Sequence, residues 1–315
     1  MEEQILIDVV IPAYRPDEKL HRLLLMLMRQ TRRPARILVV NTEASLFDEA
    51  CLAGTSGVEV VHIRKEEFDH GGTRHWAAMQ LEHAFVLFLT QDAVPEDEHL
   101  LEALYRPFAE HARVGASYAR QLPAADCSVL EQYTRGFNYG DESRIKQAED
   151  LPRLGIKTFF CSNVCAMYRR STYEELGGFE RHTIFNEDMI FAGKLVAAGY
   201  AVAYCADARV VHSHNYSGWQ QLRRNFDLGV SQAEHPEVFT RVKSESEGVR
   251  MVKQTAGYLC RTGKPYLLPK LVWQSGCKFL GYRLGKGYQR LPRWLIRRCT
   301  MNPGYWERQG STVRR

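Results

Sequence analysis

The 315-residue chain has no uninterrupted apolar run approaching the roughly 20 residues that cross a bilayer, which excludes a membrane-spanning helix. It has no CxxC pair either. Cys51, Cys127, Cys161, Cys165, Cys205, Cys260, Cys277 and Cys299 are scattered, and no second ligand pair joins the nearest two, Cys161 and Cys165. A structural zinc site is therefore excluded, and reduced, mostly buried thiols are expected. There is no internal repeat and no low-complexity tract, which excludes solenoids and disordered scaffolds. The chain opens on acidic residues and runs straight into an apolar strand, without the patterning of a secretory leader, so a cytoplasmic protein is expected. Acid itself runs out toward the C-terminus. From Lys253 onward Glu307 alone opposes Lys264, Lys270, Lys278, Arg283, Lys286, Arg290, Arg293, Arg297, Arg298, Arg314 and Arg315. The net charge of +5 thus conceals a near-neutral body and a strongly basic tail.

What is present is an ordinary globular composition, 45% hydrophobic and 25% charged, sufficient for one large domain with an appendage. Ile5 to Ile11 is a β-branched run stopped by Pro12, and Arg36 to Val40, Val58 to Ile63 and Phe85 to Leu89 are further apolar strands. Helical stretches intervene from Asp17 to Gln30 and from Trp76 to His83. The alternation predicts an α/β fold, a parallel sheet with helices on both faces, in which ligands bind beyond the carboxyl ends of the strands. That rule singles out Tyr14, Glu43 and the loop after Ile63. Further on, the pattern predicts a helix from Asp97 to about His111 and a strand from Gly115 to Arg120. A polar, irregular excursion from Cys127 to Ile156 carries Tyr133, Phe137 and Tyr139 over an acceptor site. Short strands at Ala201–Ala203 and Arg209–Val211 flank Asp207, and an amphipathic helix runs from Gly218 to Val230.

Four stretches carry chemistry. Phe68-Asp69-His70-Gly71-Gly72-Thr73-Arg74 reads as a loop whose glycines let backbone amides approach an anion, with Arg74 as a fixed charge; the plainer reading is a tight turn. Asp92, in Thr90-Gln91-Asp92-Ala93-Val94-Pro95, stands at the end of a strand, where a hard divalent cation can bridge to a phosphate; an Asx turn is the plainer reading. Asn186 reads as a helix N-cap followed by Glu187 and Asp188, which either face a pocket, one of them as a general base, or merely suit the positive end of a helix dipole. His212 and His214, two apart on an extended strand, share a face, so one can complete a metal shell with Asp92.

Together with Val10-Ile11-Pro12-Ala13-Tyr14 and His212-Ser213-His214-Asn215-Tyr216-Ser217, these stretches stand in an order that resembles the inverting family-two glycosyltransferases, most closely the bacterial rhamnosyltransferase branch. The resemblance implies a GT-A fold, a Rossmann-like mixed sheet flanked by helices, over residues 1–235, followed by a basic helical extension over 236–315. It implies that Ala13, Tyr14, Glu43, Asp69, Gly71, Gly72, Arg74 and Gln91 bind the nucleotide sugar, and that Asp92 and His212 hold Mg²⁺ or Mn²⁺. Asp188 becomes the base, with Glu187 supporting it, and His214, Tyr216, Trp219 and Arg223 become phosphate or acceptor contacts. The implied reaction moves L-rhamnose from dTDP-L-rhamnose to a glycan or polyprenyl-diphosphate-linked acceptor in surface-polysaccharide synthesis. Thr90 stands where the family's first metal-site aspartate would be, which removes one carboxylate and should lower metal affinity.

Other readings stay open: the same chemistry with a UDP- or GDP-linked sugar, or a catalytically weak membrane scaffold. A sugar-nucleotide pyrophosphorylase wants a glycine-rich basic loop after the first strand, and Pro12-Ala13-Tyr14-Arg15-Pro16 is not one. The basic tail, with Tyr258, Tyr266, Trp273, Tyr282, Tyr288 and Trp294 interleaved, suits either an anionic membrane surface or a packed helical cap. Nucleic acid is not expected as a partner, because no recognised module accompanies the charge. The expected location is cytoplasmic, with a peripheral place on the inner face of the plasma membrane if the tail meets lipid.

Overall fold

Ile7, Val9, Val10 and Ile11 are all fully buried, so strand β1 (Ile7–Tyr14) is covered on both faces, as a central parallel strand must be, and its one buried charge, Asp8, is paired with His83 at 2.6 Å. In this computed structural model, which describes residues 5–240 and 245–312, β1 is followed by β2 (Arg36–Thr42), β3 (Val58–Ile63), β4 (Phe85–Leu89) and β5 (Val94–Pro95). Then come β6 (Val114–Leu122), β7 (Arg144–Lys146), β8 (Cys165–Arg169) and β9 (Ala201–Val211). Arg314 and Arg315 of the basic tail lie outside the described residues. The strands form one sheet in the order β3-β2-β1-β4-β8-β6-β9-β5, with β7 paired to β9. The β3-β2-β1-β4 half is parallel and carries the helices Glu18–Met28 and His70–Met79; β8 then enters antiparallel to both β4 and β6, which makes the sheet mixed. The carboxyl ends of β1, β2, β3 and β4 therefore lie along one edge, where the sequence places Tyr14, Glu43 and Thr90-Gln91-Asp92.

By its contacts the chain forms two compact units. The first comprises Met1–Ala124, Tyr139–Arg181 and Glu187–Ser213, and holds the sheet. The second comprises Ala125–Asn138, His182–Asn186 and His214–Arg315, and is helical. In it the helices Gly218–Glu234 and Leu268–Lys286 cross backbone to backbone. A Cβ on Gly281 would lie 2.1 Å from the Leu222 carbonyl oxygen, and one on Gly285 would lie 2.1 Å from that of Phe226. The basic tail is thus a folded helical layer whose core includes Leu222, Phe226, Val230, Cys277, Ile296 and Tyr305. Gly285→Val should lower the urea midpoint by the equivalent of about 3 kcal/mol, because the helices cannot separate by a methyl's width without losing this core.

Several expectations change. The Phe68 to Arg74 stretch is not a loop: the helix begins at His70, so Gly71 and Gly72 occupy its first turn. Asp69 is its N-cap and accepts from Gly72 N at 2.7 Å, a signal that the paired glycines obscured. The two short strands around Asp207 are one eleven-residue strand, β9, with a register shift against β6 between Ala119 and Arg120. It ends at Val211, so His212 and His214 lie beyond it and the alternation argument does not apply to them. The 127–156 excursion contains a helix, Val129–Asn138, and the edge strand β7; Tyr139 is core. Asn186 has a left-handed backbone (φ 66°), unlike the extended residue that normally caps a helix, and its buried Nδ2 has no hydrogen-bond partner among the described residues. Seven cysteines are buried as expected and all eight are free; Cys260 is exposed.

Candidate active site

Two side-chain pairs in the sheet unit make up the site. The first is Asp92 with His212. Thr90-Gln91-Asp92 turns out of β4, with Ala93 N bonded back to Thr90 O at 3.1 Å, while His212 N bonds to Leu122 O at 2.9 Å where β9 ends beside β6. This leaves Asp92 Oδ1 3.5 Å from His212 Nε2. Gln121 accepts from His212 Nδ1 at 3.0 Å, and its own amide donates to Ser162 Oγ at 3.0 Å, which sets the amide's orientation. Nδ1 therefore carries a proton, which leaves Nε2 as the imidazole nitrogen that can bind a metal beside the carboxylate oxygen. Two electron-rich atoms at that distance suit neighbouring ligands of one divalent cation, which stand about 3 to 3.5 Å apart. The carboxylate oxygen fits Mg²⁺ or Mn²⁺, of which the imidazole favours the softer Mn²⁺, and the buried Thr90 hydroxyl, without a hydrogen-bond partner among the described residues, stands in the same turn.

The second pair is Glu187 and Asp188, at the start of the Glu187–Ala197 helix. Their neighbours give them opposite protonation behaviour. Burial works against the Glu187 carboxylate, but Arg74, 3.2 Å away, together with His70 and a 3.1 Å hydrogen bond from Asn163 Nδ2, holds it below its ordinary range. Asp188 is half-buried; burial and then the Glu187 charge push it up to about 7, against two backbone N–H groups that its oxygens accept. These are Asn163 N at 2.9 Å and Met189 N at 2.8 Å. Of two adjacent carboxylates, one is locked as an anion and the other can exchange a proton near neutrality.

The segment Ser162-Asn163 joins the pairs: Ser162 holds Gln121, which holds His212, and Asn163 holds both carboxylates. Tyr168 OH fixes Asn163 through Oδ1 at 2.9 Å, and buried Lys146 anchors the preceding turn by donating to the carbonyls of Lys157 and Phe160. Gln121, Ser162, Asn163 and Lys146 were absent from the sequence reading. They are ordinary polar residues in unremarkable strands and turns, and only their distant partners give them a role.

The remaining candidates fall as follows. Ala13 is buried and Tyr14 exposed at the end of β1. Gln91 grips the Tyr14 backbone by both ends of its amide, accepting from N at 2.8 Å and donating to O at 3.0 Å, and so ties β1 to the Asp92 turn. Glu43, also left-handed (φ 69°), accepts from Lys65 N. Gly71 and Gly72 lie in the turn capped by Asp69, and Arg74 follows one turn on, bonded to His70 O at 2.9 Å. His214, Tyr216, Trp219 and Arg223 belong to the helical unit. There His214 and Tyr216 stack with ring centroids 5.0 Å apart, Trp219 is exposed, and Arg223 Nε donates to Thr300 O at 2.7 Å.

Residues 4–227 match the family described as Glycosyltransferase like family 2. The chain is 41% identical over 280 residues, 88% of each chain, to the O-antigen chain rhamnosyltransferase WbaN of Salmonella anatum. It is 37% identical over 302 residues, 95% of this chain and 96% of the relative, to the O-antigen chain rhamnosyltransferase RfbN of Salmonella typhimurium. Among solved structures, the mannosyltransferase PcManGT from Pyrobaculum calidifontis, in complex with GDP-Man and Mn²⁺, superposes with a TM-score of 0.62 at 14% identity. The superposition covers 92% of this chain and 89% of that one. Its fold and these matches make the protein a GT-A glycosyltransferase. The chain belongs to glycosyltransferase family 2.

Proposed function

We propose that the protein is an inverting rhamnosyltransferase of O-antigen synthesis, moving L-rhamnose from dTDP-L-rhamnose to a lipid-linked or growing polysaccharide acceptor. Two relatives that match along almost their whole length carry the name O-antigen chain rhamnosyltransferase, which supports the sugar and the pathway. The observation that carries the chemistry is the run His212, Gln121, Ser162, Asn163, Asp188, linked by hydrogen bonds and the Ser162-Asn163 peptide, which ties a cation-binding pair to a proton acceptor within one compact unit.

In this mechanism Asp188 takes the proton of the acceptor hydroxyl as that oxygen bonds to the anomeric carbon. The bond from the anomeric carbon to the diphosphate oxygen breaks on the opposite face, so configuration inverts. Two backbone N–H groups keep the base oriented, and Glu187 with Arg74 keeps a fixed charge pair beside it. Asp92 and His212 would hold a divalent ion, which when bound neutralises charge on the departing diphosphate. Tyr14, positioned by Gln91, together with Glu43 and the Asp69-capped turn, forms the nucleotide side of the site.

The test is a donor panel with manganese. dTDP-L-rhamnose should be consumed and should raise the melting temperature. Consumption of a UDP- or GDP-linked sugar in its place would overturn the donor, and consumption of none would leave the scaffold reading. With the right donor, transfer should rise with pH through about 7, because the raised Asp188 carboxyl must lose its proton to act as a base. A flat profile from pH 5.5 to 8.5 would remove Asp188 from that role.

A further inference from the structure

The helical unit carries a feature of its own, apart from the two side-chain pairs of the sheet unit. A cavity of about 300 Å³ lies beside the Leu268–Lys286 helix, lined by His214, Tyr216, Lys270, Trp273 and Lys278 together with the Ser217-Gly218 start of the Gly218–Glu234 helix. Its one acidic lining residue, Glu131, is already paired with Arg135 at 2.8 Å. Lys278 has no hydrogen bond or ion pair among the described residues, and burial lowers its pKa against partial support from the Glu131 charge, so an incoming anion would supply the direct partner that the ammonium lacks. Lys270 adds a second ammonium at the rim, and the amides opening a seventeen-residue helix add partial positive charge.

On its outer side the same helix presents Val272, Trp273, Phe279 and Leu280, which are 68%, 66%, 61% and 51% exposed. Spaced at helical intervals, they form one apolar face that no described residue covers. Trp273 belongs to both features, since it lines the cavity and is exposed. The helix has no acidic residue, and Arg283 and Lys286 end it. A second copy packed face to face would bring like charges together, and a phosphate-bearing amphiphile would not.

We propose that the cavity takes the phosphate head of a membrane lipid while the exposed face of the Leu268–Lys286 helix enters the surrounding acyl layer. The chemistry is a phosphate or diphosphate joined to an apolar chain, which both a bulk anionic phospholipid and a polyprenyl diphosphate supply. The proposal deepens the lipid-linked-acceptor reading and rests on it only for which of these lipids is meant.

The test is vesicle flotation of the full chain without donor. Vesicles are phosphatidylcholine alone, phosphatidylcholine with phosphatidylglycerol, and phosphatidylcholine with a few mole per cent polyprenyl diphosphate. Binding should be weak to the first and at least tenfold stronger to one or both of the others. Preference for the third at matched charge identifies the carrier lipid, and equal binding identifies the bulk anionic surface. Lys270→Gln with Lys278→Gln should remove about fivefold per lysine from binding to the net-anionic vesicles, as expected near an anionic surface. Phe279→Ser with Leu280→Ser should weaken binding to all vesicles by about tenfold. Circular dichroism should show both variants folded, since the four side chains lie at the surface or in the cavity. Binding to neither net-anionic vesicle, or binding that neither variant changes, would overturn the proposal. So would a dimer in sedimentation velocity that Leu280→Ser dissolves, which would make the face a self-interface. Transfer to a soluble acceptor, assayed in parallel, tests the transferase reading separately.

Discussion

Asp188→Asn should lower transfer by about a hundred- to ten-thousand-fold, the range that a positioned general base contributes, while the donor still raises the melting temperature. The substitution removes the proton acceptor and leaves the Arg74–Glu187 pair in place. It is not electrostatically silent. Both Asp188 oxygens accept backbone N–H groups, so an asparagine must turn its NH₂ toward either Asn163 N or Met189 N, at a cost of about 1 to 3 kcal/mol. A modest loss of stability is therefore expected alongside the large loss of rate. Glu187→Gln should show the reverse balance. It leaves buried Arg74 without its anion, a change worth about 3 to 5 kcal/mol of stability, and removes the repulsion that raises Asp188. Its residual activity should therefore extend to lower pH than that of the wild type. A D188N enzyme with full activity, or an E187Q enzyme with an unshifted pH profile, would break the assignment of roles.

Asp92→Ala should weaken the manganese dependence of donor binding at least tenfold, since it deletes the only carboxylate facing His212 Nε2 among the hydrogen bonds and ion pairs described above. The effect should disappear when manganese is replaced by a chelator, which separates loss of the ion from loss of the pocket. Gln121→Leu offers a finer version. It leaves both ligands and frees the imidazole to change tautomer or rotate, and outer partners of this kind are worth about 10- to 100-fold in metal affinity. An unchanged metal titration in Asp92→Ala would remove the pair from the metal role. Thr90 bears on the size of these effects. With a hydroxyl in place of a second carboxylate the site starts weaker, so losing Asp92 should be felt in full.

The residues that are chemically distinctive were visible in one dimension. Asp92, Glu187, Asp188 and His212 are charged or imidazole groups next to strand ends and a helix start, and such places gather ligands for reasons of backbone geometry alone. The order of strands and helices through β4 was equally visible, because buried parallel strands need unbroken apolar runs and their crossovers need amphipathic ones. Less was visible where local rules compete. Gly71 and Gly72 lowered the helical signal of a segment that Asp69 nonetheless caps, and Asp207 split a strand that its neighbours hold together.

Composition and local pattern by themselves determined an α/β protein with two acidic stations and a basic helical tail, because apolar periodicity, proline stops and carboxylates at strand ends act over a few residues; the glycosyltransferase assignment rested on the family resemblance that its motifs carry. Tertiary structure alone decided how these parts work. It set which carboxylate is an anion and which can titrate, through Arg74 and Asn163, and which histidine nitrogen faces Asp92, through Gln121. It also set which side of the tail is buried, through Gly281 and Gly285. The physical reason is common to all of these: desolvation and hydrogen bonding depend on which atoms lie within about 3 Å, and chain neighbours seldom supply the deciding ones.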